Sequence, residues 1–147
     1  MQSLKRVFDF MTSIITLDTN NGLLFNKRRL SQDKVVTADI ISQASGTNLY
    51  VTPYSYKLFP EGTPCTPLNN PYTLADKQAV IFAEDINPVK YIDIIDTFVV
   101  YLWNKEYPSD VRFNVNLQEL GFRVTNRVDF SSNTHPNITR LIFSRYV

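Results

Sequence analysis

Three clusters of polar and aromatic side chains hold the chemistry open to this chain. The first is Asn26, Arg28, Arg29, Ser31 and Asp33, within the run Phe-Asn-Lys-Arg-Arg-Leu-Ser-Gln-Asp at 25–33. An apolar strand-like segment, Leu23-Leu24-Phe25, leads into it and a helix-like segment follows. Such a junction suits an anion, because the first turn of a helix presents unpaired N–H groups. Arginine suits phosphate in particular, since its planar fork donates two parallel hydrogen bonds. In an extended segment Asn26 and Arg28 point to one face and Arg29 to the other. One arginine is therefore expected to face a pocket while the other meets solvent or Asp18.

The second cluster is Trp103-Asn104-Lys105-Glu106-Tyr107-Pro108-Ser109-Asp110. It follows the most strand-like segment of the chain, and ligands gather at strand ends in sheets flanked by helices. Trp103 and Tyr107 are expected to stack on a base or to close a pocket. Asn104 and Asp110 would read polar groups. The plainer reading is a core tryptophan followed by a Pro-Ser-Asp turn.

The third cluster, Ser131 to Thr139, holds Thr134 and His135, the single histidine. Its unperturbed pKa makes His135 the one side chain suited to proton transfer near neutrality. At the start of a helix the dipole would favour the neutral ring. Acting as a base, it would need a partner acid or an activated hydroxyl. Acting as a binder, it would simply donate to phosphate.

Other chemistry is excluded or weakened by composition. The chain has 147 residues and only four glycines, Gly22, Gly46, Gly62 and Gly121, so no glycine-rich phosphate loop is present. One cysteine, Cys65, allows no internal disulfide, and one histidine cannot build the usual transition-metal sites. A carboxylate-only Mg²⁺ site from Asp85, Asp93 or Asp96 is the remaining metal option, and no cofactor is expected. The net charge of +1 is unevenly spread, with six Lys/Arg against four Asp/Glu over 1–40, three against seven over 76–110, and five against two over 111–147. Convergence of the two basic ends would favour an anion, whereas a protein that coats long nucleic acid would be more basic. No apolar run is long enough to span a membrane. A cytoplasmic location is the expectation.

These residues must be positioned by a single α+β domain over 13–147, preceded by an N-terminal appendage at 1–12. Ile14 to Leu17 and Leu23 to Phe25 flank Asn20-Asn21-Gly22, a strong signal for a β-hairpin. Asp33 or Ser31 caps a helix running to about Ala44, with Val36, Ile40 and Ala44 as its apolar face. Short strands are expected at 49–51 and 79–83, a strand at 97–103, and a later one at 121–124. Pro60 to Pro71 reads as a loop and Pro88 to Ile95 as a short helix. A final helix is expected to begin at Thr134, with Pro136 in its first turn and Ile138, Leu141, Ile142 and Arg145 following; Ile-Phe and Tyr-Val near the end allow a strand instead. The expected architecture is a mostly antiparallel sheet of about five strands, with helices packed mainly on one face.

Taken together, several blocks resemble a family of small uncharacterised proteins of bacteria and their mobile elements. They are Leu17-Asp18-Thr19 with Asn21-Gly22, Leu24-Phe25-Asn26 with Arg28-Arg29, Tyr54 to Phe59, Trp103-Asn104 with Tyr107 to Asp110, and Thr134-His135 with Ile138-Thr139. The resemblance runs from about residue 13 onward and implies no established activity. The label ribonuclease Z, sometimes attached to such proteins, implies several metal-binding histidines, which one histidine cannot supply. Relatives tend to have glycine where Ser131-Ser132-Asn133 stand here.

The leading expectation is binding of a small phosphorylated ligand, a nucleotide, with a phage protein sequestering a host immune signalling nucleotide as its specific form. The first alternative is a metal-independent ribonuclease or phosphodiesterase using His135 and an arginine. The second is a protein-interaction or inhibitor module. The sequence leaves the oligomeric state open; a homo-oligomer is one option, since sequestering proteins often build pockets between subunits.

Overall fold

The structure, a computed structural model, describes residues 11–24, 32–74, 78–109 and 111–145. Among these, seven strands form one mixed sheet in the order β4-β3-β5-β1-β6-β9-β8. They are β1 (Met11–Leu17), β3 (Leu49–Val51), β4 (Cys65–Pro67), β5 (Val80–Phe82), β6 (Ile95–Leu102), β8 (Phe122–Phe130) and β9 (Ile138–Arg145). β1 pairs in parallel with both β5 and β6, and β3 pairs in parallel with β4 and β5. β9 runs antiparallel to β6 and to β8. The sheet is therefore larger than the five strands expected, and its first five strands are parallel. The strand expected at 79–83 is β5, whereas β4, Cys-Thr-Pro, lies within the segment read as a loop and carries no apolar pattern. The unbroken Val-Ile-Phe of β5 is buried throughout, as expected of a strand covered on both faces.

Helices cover both faces, not mainly one. On one side α1 (Lys34–Gln43) lays Val36, Ile40 and the following Ala44 against Ile14, Val80, Phe82, Val99 and Tyr101. On the other, a 3-10 segment (Pro88–Ile94) and the short helix α3 (Pro71–Leu74) bring Val89, Tyr91, Ile92 and Tyr72 onto Ile15, Ile81, Phe98 and Val100. Alternation along β1 and β6 feeds both cores at once. α2 (Pro53–Tyr56) is capped by Thr52, whose hydroxyl accepts from the Ser55 amide.

Three further expectations change. Met11 and Thr12, placed with the appendage, belong to β1; residues 1–10 lie outside the described residues. The Asn20-Asn21-Gly22 turn does form, with Asn21 at φ 61°, and the Asp18 amide donates to Gly22 O at 3.1 Å. Yet β2 (Gly22–Leu24) does not pair with β1 as a hairpin. It pairs antiparallel with β7 (Val111–Arg112) in a separate two-stranded sheet, because both edges of β1 are taken by β5 and β6. The final helix is a strand. β9 sits between β6 and β8 and fills both faces, with Ile142 against one core and Leu141 and Phe143 against the other. Ile-x-x-Leu-Ile-Phe satisfies helical spacing equally well, and tertiary pairing decides between the two.

Candidate functional site

Every described candidate residue lies at the edge where β1, β3, β5 and β6 end, together with the β8–β9 turn that reaches back to it. This is where parallel sheets of this kind usually hold ligands. Asp18 directly follows β1 and Trp103 directly follows β6, and the Trp103 amide donates to Leu17 O at 2.9 Å.

Asp33 is the hub. As N-cap of α1 its Oδ1 accepts from the Val35 amide at 2.8 Å and the Val36 amide at 3.2 Å. Its Oδ2 accepts from the hydroxyls of Ser132 and Thr134 and from the Thr134 amide at 3.3 Å. The residue is 1% exposed. Burial alone would raise its pKa, but the hydrogen bonds from Ser132, Thr134, Val36 and Val35 hold it below the usual 3.8.

From Thr134 the chain of hydrogen bonds continues through His135. Thr134 Oγ1 lies 2.7 Å from Nδ1, and Tyr107 OH lies 2.5 Å from Nε2. Thr134 already donates to Asp33, so its oxygen accepts from Nδ1–H, which leaves Nε2 to accept the phenol proton. Each donor thus has one acceptor, and the ring is neutral with its proton on Nδ1. Burial lowers the His135 pKa below 6.5, the Asp33 carboxylate opposes this, and Lys105 adds to it. Sequence placed this histidine at a helix start; it sits in a turn, so desolvation rather than a helix dipole keeps it neutral.

Trp103 packs against the imidazole, with ring centroids 4.6 Å apart and a 40° tilt. Being 1% exposed, it supports His135 from the core and is not open to stack on a base. Its Nε1 is buried without a hydrogen-bond partner. Tyr107 is half-buried, with Lys105 Nζ 5.6 Å from its ring centre. Burial raises its phenol pKa, and the negative charge of Asp18 adds to that. Asn104, at φ 56°, is exposed and turns to the start of β9, donating to Asn137 O at 3.3 Å and Thr139 Oγ1 at 3.0 Å.

Asp33, Trp103, Tyr107, Thr134 and His135 are therefore brought together, and Asn104 stands at the rim. Asn26, Arg28, Arg29, Ser31 and Asp110 lie outside the described residues. Sequence reasoning missed two organisers. Asp18 is 1% exposed; its Oδ1 accepts from the Asn20 and Gly22 amides at 2.8 and 2.6 Å, and its Oδ2 from the Tyr107 amide at 2.9 Å and Ser109 Oγ at 3.3 Å. It ties the end of β1 to the loop carrying Tyr107, and its signal was an aspartate opening an Asn-Gly turn. Ser132, the second, lay within the third cluster but had no role there; its hydroxyl donates to Asp33.

A separate polar group lies at the ends of β3 and β5. Thr52 Oγ1 donates to Asp85 at 2.5 Å, and the Glu84 amide donates to Ser55 Oγ at 3.0 Å. Among the described residues no three His, Cys, Asp or Glu side chains gather to hold a metal. No helix described is long and apolar enough to cross a membrane.

No protein-family model and no curated protein sequence matches the chain. Among solved structures, the fold is similar to dihydrofolate reductase from Enterococcus faecalis, solved in complex with NADP(H) and RAB-propyl. The TM-score is 0.68, with 7% identity over 95% of this chain and 98% of that one. The chain shares that α/β architecture; at this identity the likeness concerns the fold.

Proposed function

We propose that the protein binds a small phosphorylated ligand, a nucleotide, at the sheet edge beside His135. The observation that carries this reading is the Asp33–Thr134–His135–Tyr107 chain, assembled from three separate parts of the sequence. Asp33 directly follows the segment that holds Arg28 and Arg29, so phosphate would meet one or both arginines. Thr134, Tyr107 and Asn104 would supply polar contacts by exchanging their internal acceptors, Asp33, His135 and Asn137, for the ligand's oxygens. That a dihydrofolate reductase of similar fold was solved in complex with NADP(H) supports a nucleotide as the ligand class.

Binding is favoured over ribonuclease chemistry because both nitrogens of His135 are engaged and its charged form is disfavoured. A general base would need one nitrogen free for substrate. Sequestration of a host immune signalling nucleotide by a phage protein is the specific form of the proposal.

The test is calorimetric titration with a nucleotide panel, with mass spectrometry of small molecules released by heat. The expected result is binding of an intact nucleotide, weakened about tenfold or more by Arg28→Ala or Arg29→Ala, as loss of a charge-assisted hydrogen bond predicts. Cleavage of labelled RNA in EDTA that disappears in His135→Ala would favour the enzyme. If no nucleotide binds and no RNA is cut, the interaction module is the reading left.

A further inference from the structure

β8 is the outer strand of the seven-stranded sheet and, among the described residues, pairs with β9 alone. It is nine residues long, and every residue from Arg123 to Asp129 is exposed, so neither face is covered. Long uncovered edges of this kind are templates for another strand.

The register with β9 fixes which face each side chain uses. Arg127 lies opposite Leu141 and Asp129 opposite Thr139, whereas Asn126, Val128 and Phe130 lie opposite Ile142, Arg140 and Ile138. A bulge between Val124 and Asn126 interrupts the alternation, which leaves Asn126-Arg127-Val128-Asp129-Phe130 as the regular edge. Arg127 and Asp129 share one face, 3.4 Å apart, with side chains 64% and 51% exposed.

We propose that two copies of this chain dimerise by antiparallel pairing of β8 with β8, the twofold axis passing through Val128. Directly opposed residues of antiparallel strands share a face. In this register Arg127 opposes Asp129 of the second copy, and the reverse holds across the axis. On the other face Val128 meets its own copy and Asn126 meets Phe130. Charge selects the register. Sliding the axis by one residue toward the N-terminus sets Arg127 against Arg127, and toward the C-terminus sets Asp129 against Asp129. In-register parallel pairing opposes like charges as well. Edge charges usually repel a neighbouring strand; alternating as Arg-Val-Asp, they instead complement a reversed copy of themselves, the geometry of an isologous twofold contact. The hydroxyl of Thr139 donates to Asp129 at 2.6 Å and steadies its carboxylate.

Sedimentation velocity and light scattering on the full chain test this. The wild type is expected to show twice the 17.0 kDa chain mass. Arg127→Asp opposes two carboxylates and Asp129→Arg opposes two cations. Each variant alone is expected to raise the dimer dissociation constant about tenfold or more, and mixing the two is expected to restore a dimer. Val128→Lys, on the opposite face, is expected to weaken the dimer without altering the charged pairs. Far-UV circular dichroism checks that each variant is folded. A wild type that stays monomeric at about 100 µM, single swaps that leave the dimer intact, or swapped chains that fail to pair on mixing would overturn the proposal.

Discussion

Asp33 joins three jobs in one carboxylate: it caps α1, anchors the β8–β9 turn through Ser132 and Thr134, and through Thr134 orients His135. Its replacement therefore costs more than a surface cap. Asp33→Ala is expected to lower stability by about 1–2 kcal/mol from the cap alone, with a further loss from the orphaned hydroxyls, measured by urea denaturation. The histidine makes a pH prediction. Because its folded pKa lies below 6.5, the unfolded chain takes up the proton first. Stability from His135 is therefore complete above pH 6.5 and declines as pH falls below it, down to the folded pKa. Asp33, with a folded pKa below 3.8, adds a second decline beginning near that pH. His135→Gln is expected to flatten only the first decline in urea midpoints measured against pH. Equal slopes in the two proteins would mean that the ring is not held neutral. The aspartate and the histidine were both legible as polar residues in suggestive places. That they touch was not, because 101 residues separate Asp33 from Thr134.

At the level of elements, the turn after β1 shows how a local signal and a tertiary one combine. Asn-Gly correctly marks a reversal, but Asp18 and Ser109 determine what the chain does next. A Cβ added at Gly22 would overlap Ser109 Oγ and stand 2.9 Å from Asp18 Oδ1. Gly22→Ala is thus expected to destabilise through crowding, by about 1–3 kcal/mol, and Gly22→Ala combined with Ser109→Gly to recover part of it. A thermal melt of the single and double variants measures this. Gly46 offers the contrast: its space is open but its φ is 82°, so any loss in Gly46→Ala comes from the backbone. The same division explains β9. Its apolar spacing allows either a helix or a strand. The vacancy between β6 and β8 makes it a strand, and that choice moves His135 from a helix start to a turn beside Trp103.

For the whole molecule, one sheet separates two cores that share strands but draw on different side chains. Ile40→Ala, beneath α1, and Phe98→Ala, on the opposite face between Phe113 and Phe122, are expected to cost about 2–5 and 3–5 kcal/mol respectively. Because each belongs to a separate cluster, the costs are expected to add in the double variant; strong coupling in denaturation would show that the sheet transmits strain between faces. The α1 boundaries, its Asp33 cap and its buried Val36 and Ile40 could be read from local pattern, as could β3, β5, β6 and the 3-10 segment. So could the candidate clusters, since aromatic and hydrogen-bonding residues stand out at the ends of apolar runs. By itself the sequence determined which segments are apolar, where the chain turns, and which polar residues are available, because these depend on neighbours within one turn or one strand. Strand order, parallel direction, the covering of both faces and the meeting of Asp33, Tyr107 and His135 were decided only by tertiary structure. Hydrogen-bonded pairing and burial join residues far apart in the chain, and no short-range pattern encodes which distant edge a strand will meet.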